Sequence, residues 1–240
     1  YARDRKQGRT PLAGGSGAIV DHADVRRMLA EMKAEIRAAR GIALMNAAAI
    51  DMARATGTAE WAARAALLTP ICKAFGTDTG MKCAEIGVQV HGGMGYIEES
   101  GAAQFARDVR VTAIYEGTNG IQAMDLVGRK MADGGEAAHR LLDEIEAGAV
   151  ATRGYCAETA QRLWDNVEAL REATDWIAAA GMQDRFAGAT AYLRAFARVL
   201  GGHVHLACAR TEGQDGPRGR LARFYMSRLL PETAGLLAAA

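Results

Sequence analysis

The sequence of 240 residues contains little proline and few aromatic residues. It has four prolines, and aromatic residues make up 6% of the chain, whereas 50% of the residues are hydrophobic in a broad count. Long stretches also lack the apolar and polar alternation that is typical of half-buried strands. Many alanines and few helix breakers therefore predict an all-α protein in which helices pack on helices as a helical bundle.

The sequence also lacks an excess of charge of either sign. Lysine and arginine number 29 against 28 for aspartate and glutamate, so no global field draws the chain to nucleic acid or to an anionic membrane. No apolar run approaches the roughly 20 residues of a membrane-spanning helix, and no segment is typical of a signal peptide. We therefore expect no nucleic-acid partner, no membrane partner and a cytoplasmic location.

Metal and disulfide motifs are missing as well. The four cysteines are scattered, without a Cys-x-x-Cys pair or a histidine at metal-ligand spacing: Cys72, Cys83, Cys156 and Cys208. His203 and His205 are two residues apart in a predicted helix, so their side chains point about 160 to 200 degrees away from each other. We expect neither a metal site nor a disulfide framework.

Apolar periodicity divides the first half of the chain into helices. The glycine-rich residues 9–21 predict a loop, and a long helix follows from Val25 to Gly57. A second helix begins at Thr58 and is predicted to be bent or divided at Pro70.

Glycine and serine positions suggest where the following helices begin and end. After the segment "GTDTG" at 76–80, a separate short apolar helix is predicted at 81–90, stopping at the glycines of "HGGMGY". Ser100 is a candidate N-cap for a further helix that reaches Val109. The segment "HGGMGY" matches neither a dinucleotide fingerprint nor a Walker loop, which indicates a tight turn.

The second half of the chain also has the apolar periodicity of helices. It follows the segment "ADGGE" at 132–136, which is predicted to be a hinge. Amphipathic helices are predicted near 136–148, 154–179 and 183–209, with a last one after Pro217. We therefore predict two units, a helical domain at 1–131 and a second helical domain at 132–240. A seven-residue apolar stripe in the third of these helices predicts core packing: Phe186, Leu193, Phe196 and Leu200.

A single carboxylate, Glu116, lies in "AIYEGTNGIQ" at 113–122, just before a predicted helix start. Thr118 or Asn119 can cap that helix, which places Glu116 outside its positive end. A glutamate beside a glycine in a polar turn is, taken alone, most often a solvated loop residue. The surrounding motifs decide between these interpretations.

Two segments together resemble the flavin-dependent acyl-CoA dehydrogenases: "AEIGVQVHGGMGYIEE" at 84–99 and "RDVRVTAIYEGTNGIQ" at 107–122. The opening "YARDRKQGR" resembles the flavin-contacting segment of that family, although Gln7 leads directly into Gly8 without the usual aromatic residue. The resemblance covers about residues 1–131, the helical domain C-terminal to the β-domain of the family. Residues 132–240 resemble the extra helical region of its larger members, those related to 3-methylmercaptopropionyl-CoA dehydrogenase.

The resemblance implies an enzyme that introduces an α,β double bond into an acyl-CoA. Glu116 would be the base that removes the α-proton while a hydride leaves the β-carbon for flavin N5. Tyr115 and Gly117 would line the acyl pocket, and Thr118 would contact the flavin. Gly120 stands where many members have a cofactor-binding glutamine, so it receives no role.

The resemblance also implies the cofactor FAD and the partners of the enzyme. Arg5, Gln7, Gln89, Gly92 and Gly93 would reach the FAD of a neighbouring subunit, which implies a homodimer or homotetramer. Acyl-CoA would be the substrate and an electron-transfer flavoprotein the electron acceptor. As the C-terminal part of such an enzyme, the isolated 240 residues are expected to bind FAD weakly and to be inactive.

The sequence alone leaves two alternatives open. An acyl-CoA oxidase would share the fold and differ in how oxygen reaches the reduced flavin. A DNA-binding flavoprotein of the alkylation-response type would use the arginines of the C-terminal segment, for which a solvated face or an interdomain salt bridge is favoured: Arg218, Arg220, Arg223 and Arg228.

Overall fold

The computed structural model describes residues 1–240, which form helices and no β-strand. The α-helices are α1 (Ala23–Thr56), α2 (Ala59–His91), α3 (Gly93–Tyr96), α4 (Ala102–Arg110), α5 (Asn119–Asp125), α6 (Glu136–Thr152), α7 (Ala157–Ala179), α8 (Met182–Glu212), α9 (Pro217–Arg228) and α10 (Glu232–Leu237). Short 3-10 turns lie at Ile19–Asp21, Glu98–Ser100 and Val111–Ala113, and a π-helical turn at Leu126–Lys130 continues α5. The all-α prediction is confirmed.

The first long helix, α1, ends where the sequence predicts. Gly57 adopts a left-handed conformation with φ 67°, and its N–H donates to the carbonyl of Ala53. Glycine is the residue that takes this conformation without steric cost, so α1 stops there. The chain turns within Gly57 and Thr58, and α2 packs back against α1.

The prediction of a separate helix at 81–90 was wrong, because α2 continues without interruption from Ala59 to His91. Pro70 lies buried inside the helix and does not divide it. At Thr77 the hydroxyl donates to the carbonyls of Lys73 and Ala74, which keeps this polar residue within the helix. A Cβ at Gly80 would lie 3.0 Å from Val109, so the glycine allows α4 to approach closely.

Ser100 contributes to the start of α4, although the N-cap position itself is Gly101. The hydroxyl of Ser100 accepts a hydrogen bond from the N–H of Ala102 at 3.2 Å. The helix then reaches Arg110, one residue beyond the predicted end.

In the second half, α8 is the central helix and packs against α1, α2, α5, α6, α7, α9 and α10. Leu193, Phe196 and Leu200 of the predicted stripe are buried, and Phe186 packs partly buried at the edge of the core. One hydrophobic core joins buried residues of both predicted units, including Ile42, Leu68 and Leu142.

The two histidines of α8 contact different neighbours. His205 is fully buried and its Nε2 lies 3.0 Å from the carbonyl of Ala34 in α1. His203 faces α6, where a Cβ at Gly148 would lie 3.3 Å from its ring. Their opposite directions follow from the helical spacing.

The segment predicted as a hinge is a capped turn. Gly134 and Gly135 have φ values of 77° and 84°, which glycine tolerates. The carboxylate of Asp133 accepts hydrogen bonds from the N–H groups of Gly135 and Ala137 at 2.9 and 3.0 Å. These bonds satisfy free donors at the start of α6.

None of the helices combines the length and the apolar character that a membrane crossing requires. The thiols of all four cysteines are free.

Candidate active site

Glu116 occupies an unusual backbone conformation. Its φ is 54°, and it is the only residue other than glycine with a positive φ in the chain. Such a left-handed conformation costs a residue with a side chain on the order of 1–3 kcal/mol and persists only where surrounding contacts hold it. The contacts around Glu116 are therefore part of its site.

The carbonyl groups on either side of the Glu116–Gly117 turn are both fixed by side chains. Gln122 Nε2 donates to the carbonyl of Glu116 at 3.2 Å, and Lys73 Nζ donates to the carbonyl of Gly117 at 2.7 Å. Gly117 itself has φ 84°, and a Cβ there would lie 3.1 Å from Gln122 Nε2. The turn therefore requires glycine at 117.

The helix that follows begins as the sequence predicts. Thr118 is the N-cap of α5, and its hydroxyl accepts a hydrogen bond from the N–H of Ile121 at 3.4 Å. Asn119 is the first helical residue, and its side chain binds to α2 instead of capping α5. Glu116 thus lies two residues before the N-cap, close to the positive end of α5.

The carboxylate of Glu116 is free within the chain. Its side chain is exposed and forms no hydrogen bond or ion pair with another residue. A carboxylate with a fixed backbone and no internal partner can accept a proton from a molecule that binds against it.

Large apolar side chains that lie close to Glu116 along the chain are exposed as well. Tyr115 is 51% exposed, Ile114 is 51% exposed and Ile121 is 54% exposed. Exposed apolar side chains grouped around a polar residue are typical of a binding surface. A bound apolar chain would cover them and remove water from Glu116.

A second group of predicted residues lies at the C-terminal end of α2. Gln89, Gly92 and Gly93 are exposed, and Gly92 has φ 58° and ψ −139°. A Cβ at either glycine would meet no atom within 4 Å. The backbone here is therefore open to close approach by a ligand.

The start of the chain packs against this group. The ring of Tyr1 stacks on His91 with 4.5 Å between centroids, and the N–H of Arg5 donates to the carbonyl of Tyr1 at 2.9 Å. Arg5 donates a hydrogen bond to Gln7 Oε1 at 3.0 Å, and both side chains are exposed. The structure thus brings the Arg5 and Gln7 segment next to the Gln89 to Gly93 segment.

The structure does not bring this second group to Glu116. The Glu116 loop is bound at Lys73, whereas Gln89 lies near the far end of the same helix. At a rise of 1.5 Å per residue, Lys73 and Gln89 are separated by about 24 Å along α2. Glu116 and Thr118 therefore lie in one group of candidate residues, and Arg5, Gln7, Gln89, Gly92 and Gly93 lie in another on the same chain.

The exposed donors of this second group suit a phosphate-containing dinucleotide. Arg5 offers a guanidinium, Gln7 and Gln89 offer amides, and Gly92 and Gly93 leave the backbone uncovered. Guanidinium and amide donors are the groups that bind phosphate and ring oxygens. The residues present therefore fit a flavin dinucleotide.

Sequence reasoning missed the residues that hold the Glu116 loop. It gives no role to Lys73, Asp78 or Gln122, and it treats Asn119 only as a cap. Gln122 stands inside the motif "AIYEGTNGIQ", six residues after Glu116, so its amide is a local signal that could have identified it. Lys73 and Asp78 stand 43 and 38 residues before Glu116 in a helix, and no local pattern links them to it.

Three arginines of the C-terminal segment are engaged within that segment. Arg218 Nε lies 3.1 Å from Glu212 Oε1, Arg223 lies 3.6 Å from Asp215 Oδ1, and Arg220 donates to the carbonyl of Asp215. Only Arg228 is exposed without a hydrogen bond or ion pair. Two of the four arginines thus have an acidic partner, which reduces the positive surface that a DNA-binding tail would offer.

Comparison with known proteins identifies relatives for both halves of the chain. The family "Acyl-CoA dehydrogenase, C-terminal domain" matches residues 1–132, and the family "Acetyl-CoA dehydrogenase C-terminal like" matches residues 138–240. The 3-methylmercaptopropionyl-CoA dehydrogenase of Ruegeria pomeroyi is 41% identical over 206 residues, which are 80% of this chain and 35% of that protein. The chain thus spans about a third of the length of this relative.

Two solved structures share the fold. Caenorhabditis elegans ACDH-11 in complex with C11-CoA matches 94% of this chain and 39% of its own, with a TM-score of 0.77 and 18% identity. The acyl-CoA dehydrogenase complexed with FAD from Bacillus anthracis matches 100% of this chain and 45% of its own, with a TM-score of 0.67 and 17% identity. The chain belongs to the acyl-CoA dehydrogenase family, as the matching family domain over its first 132 residues shows.

Proposed function

We propose that this protein takes part in the α,β-dehydrogenation of an acyl-CoA thioester, with Glu116 as the base that removes the α-proton. The observation that carries the proposal is the left-handed, exposed Glu116 with a free carboxylate, held by contacts to its flanking carbonyls. Membership of the acyl-CoA dehydrogenase family supports the reaction class.

The chemistry requires a carboxylate that becomes dry when substrate binds. The α-proton of a thioester is too weakly acidic for a carboxylate in water, so the site must exclude water and stabilise the developing negative charge. Tyr115 and Ile121 would lie against the acyl chain, and Gly117 would leave room for the thioester beside the backbone. The same chain would then remove water from the carboxylate of Glu116.

FAD would supply the hydride acceptor of this reaction when bound. Thr118 would contact the flavin beside Glu116, and Arg5, Gln7, Gln89, Gly92 and Gly93 would bind a dinucleotide at the other end of α2. The distance of about 24 Å along α2 supports contacts with two different FAD molecules. Such an arrangement fits a homodimer or homotetramer with shared cofactor sites.

The proposal includes the organisation of the chain and its electron acceptor. Residues 1–131 would carry the Glu116 site, and residues 132–240 would form the second helical domain, packed on the first through α8. The electrons would pass to an electron-transfer flavoprotein, as the family resemblance implies.

The test uses the protein expressed from its complete gene, in the native form and as Glu116→Gln. Glutamine keeps the shape of the side chain but cannot accept the proton. Native protein is expected to lose its flavin absorbance anaerobically with at least one member of an acyl-CoA panel. Glu116→Gln should retain flavin and bleach roughly 100- to 10,000-fold more slowly, the range for loss of a general base.

The panel also identifies the substrate class, because the acyl-CoA that bleaches fastest defines it. An unchanged bleaching rate in Glu116→Gln would remove the base assignment. If native protein with bound flavin bleached with no thioester, the dehydrogenase proposal would fail.

A further inference from the structure

Lys73 binds the Glu116 loop and the start of α5 through two neutral oxygens. Its Nζ donates to the carbonyl of Gly117 at 2.7 Å and to Asn119 Oδ1 at 2.9 Å, and it forms no ion pair. A charged group that is partly withdrawn from water needs hydrogen-bond partners to offset the loss of hydration. Here both acceptors are neutral oxygens of the Glu116 loop and the first residue of α5.

Asn119 completes the connection to α2. Its Nδ2 donates to Asp78 Oδ1 at 2.7 Å and to Thr77 Oγ1 at 3.0 Å. Lys73, Thr77 and Asp78 lie on one side of α2 within two turns. The same helix therefore binds both the carbonyl of Gly117 and the side chain of Asn119. We call Lys73, Thr77, Asp78 and Asn119 the loop clamp.

The loop clamp fixes the backbone next to Glu116. The carbonyl of Gly117 is bound by Lys73, and the carbonyl of Glu116 is bound by Gln122. Gln122 thus fixes the peptide plane that follows the Cα of Glu116, and Lys73 fixes the next plane, so Gly117 cannot relax and change the direction of the Glu116 Cβ. A left-handed φ of 54° at this residue needs such contacts to persist.

We propose that Lys73 is a positioning residue, which orients the carboxylate of Glu116 toward the substrate by holding the carbonyl of Gly117 and the amide of Asn119. The proposal rests on the proposed function of Glu116. Lys73 acts through the backbone and touches no reacting atom. Loss of its contacts releases the turn and misplaces the base.

The experiment uses the protein expressed from its complete gene and carrying flavin, with Lys73→Met and Lys73→Arg. Methionine keeps the length of the stem without a donor, whereas arginine keeps a cationic group with N–H donors. The rate of anaerobic flavin bleaching at saturating acyl-CoA is expected to fall roughly 10- to 100-fold in Lys73→Met, because small misplacements of reacting groups have effects of this size. The half-saturating acyl-CoA concentration should stay within about threefold.

Lys73→Arg should recover to within about fivefold of the native rate, since its fork can reach both acceptors. Lys33→Met is the matched control, because Lys33 is exposed on α1 and makes no hydrogen bond or ion pair. It should bleach within about twofold of native protein.

The pH dependence separates position from charge. A positioning role predicts the same fall in rate at each pH from about 6 to 9. A fall at one end of this range with recovery at the other would mean that the charge of Lys73 acts on Glu116, which overturns the proposal.

The Glu116→Gln background separates this proposal from the proposed function. Lys73→Met should cause no further loss there, because the base it positions is absent. If Glu116→Gln is slow but folded Lys73→Met bleaches at the native rate, the positioning role alone fails. If Glu116→Gln is as fast as native protein, the proposed function fails first.

Asn119→Ala serves where Lys73→Met does not fold or loses flavin. It removes one acceptor of Lys73 and the bonds to Asp78 and Thr77, and a loss of roughly 3- to 30-fold is expected. A native rate in this variant overturns the proposal.

Discussion

The guanidinium of Arg198 in α8 donates two hydrogen bonds to the carboxylate of Glu35 in α1, with distances of 2.6 and 2.9 Å. Their side chains are 4% and 1% exposed. Lys82 of α2 binds the same carboxylate at 3.0 Å, and Glu232 of α10 binds Arg198 at 2.6 Å. This buried ionic group joins the second half of the chain to the first.

Arg198→Met is expected to destabilise the protein by about 3–5 kcal/mol, because Glu35 would keep its charge in the core with only Lys82 as partner. Urea denaturation of the purified chain measures this loss. Arg162→Met is the control, since Arg162 pairs with Glu158 on the surface of α7. It should cost less than about 1 kcal/mol.

The double variant Glu35→Met and Arg198→Met tests the reason for that loss. Because both charges are replaced by apolar groups, it should be more stable than Arg198→Met alone. A double variant that is less stable than Arg198→Met would show that packing, and not the uncompensated charge, dominates.

Stability is expected to fall as the pH is lowered below about 6.5. Burial lowers the pKa of His205 from 6.5 to about 4. The unfolded chain therefore takes up this proton near pH 6.5, while the folded chain excludes it until about pH 4, so the native state loses stability across this window. The loss from His205 is at most about 3 kcal/mol.

Urea midpoints between pH 7 and pH 5 check this prediction. His205→Gln should show a smaller dependence on pH than native protein, because the titrating group is gone. Glu35 affects the stability of the protein at a lower pH than His205 does. Burial would raise the pKa of Glu35, but Arg198 and Lys82 together hold that pKa below its ordinary value. Its contribution is lost only as the pH falls below about 4.5. An unchanged slope in His205→Gln contradicts the assignment.

Gly41→Ala is expected to destabilise the protein by about 1–3 kcal/mol, because a Cβ there would lie 2.3 Å from Val204 Cγ1 and would force α1 and α8 apart. Gly87→Ala in α2 is the matched control, since its Cβ meets no atom within 4 Å. It should stabilise by about 0.5–1 kcal/mol through helix propensity. Equal thermal midpoints for the two variants would rule out a close approach at Gly41.

The chain of residues 1–240, expressed alone, is expected to bind FAD weakly and to turn over no acyl-CoA. Its predicted cofactor residues are exposed and lie in two separate groups, so one chain encloses no flavin. Gel filtration with added FAD, followed by absorbance, measures retention. Stoichiometric yellow flavin on the isolated chain would contradict this expectation.

Much of the helical framework could be predicted from the sequence. The end of α1 at Gly57 and the cap of α5 at Thr118 depend on residues within one helical turn. Such helix ends can therefore be predicted from the local sequence. The helix break predicted between 76 and 80 was wrong, because the contacts that keep α2 continuous there involve residues distant in sequence. Gly80 admits Val109, and Thr77 and Asp78 bind Asn119, so tertiary contacts favour a helix where the local sequence favours a turn.

The candidate site divides in the same way. The sequence by itself determined the all-α fold, the membership of a family and Glu116 as the candidate base. Residue spacing and the order of motifs can be seen directly in the linear sequence. The tertiary structure decided the strained φ of Glu116, the loop clamp from Lys73 and the separation of Glu116 from Arg5 and Gln89. The loop clamp depends on side chains that meet across 40 or more residues of chain, and only packing fixes which of them touch.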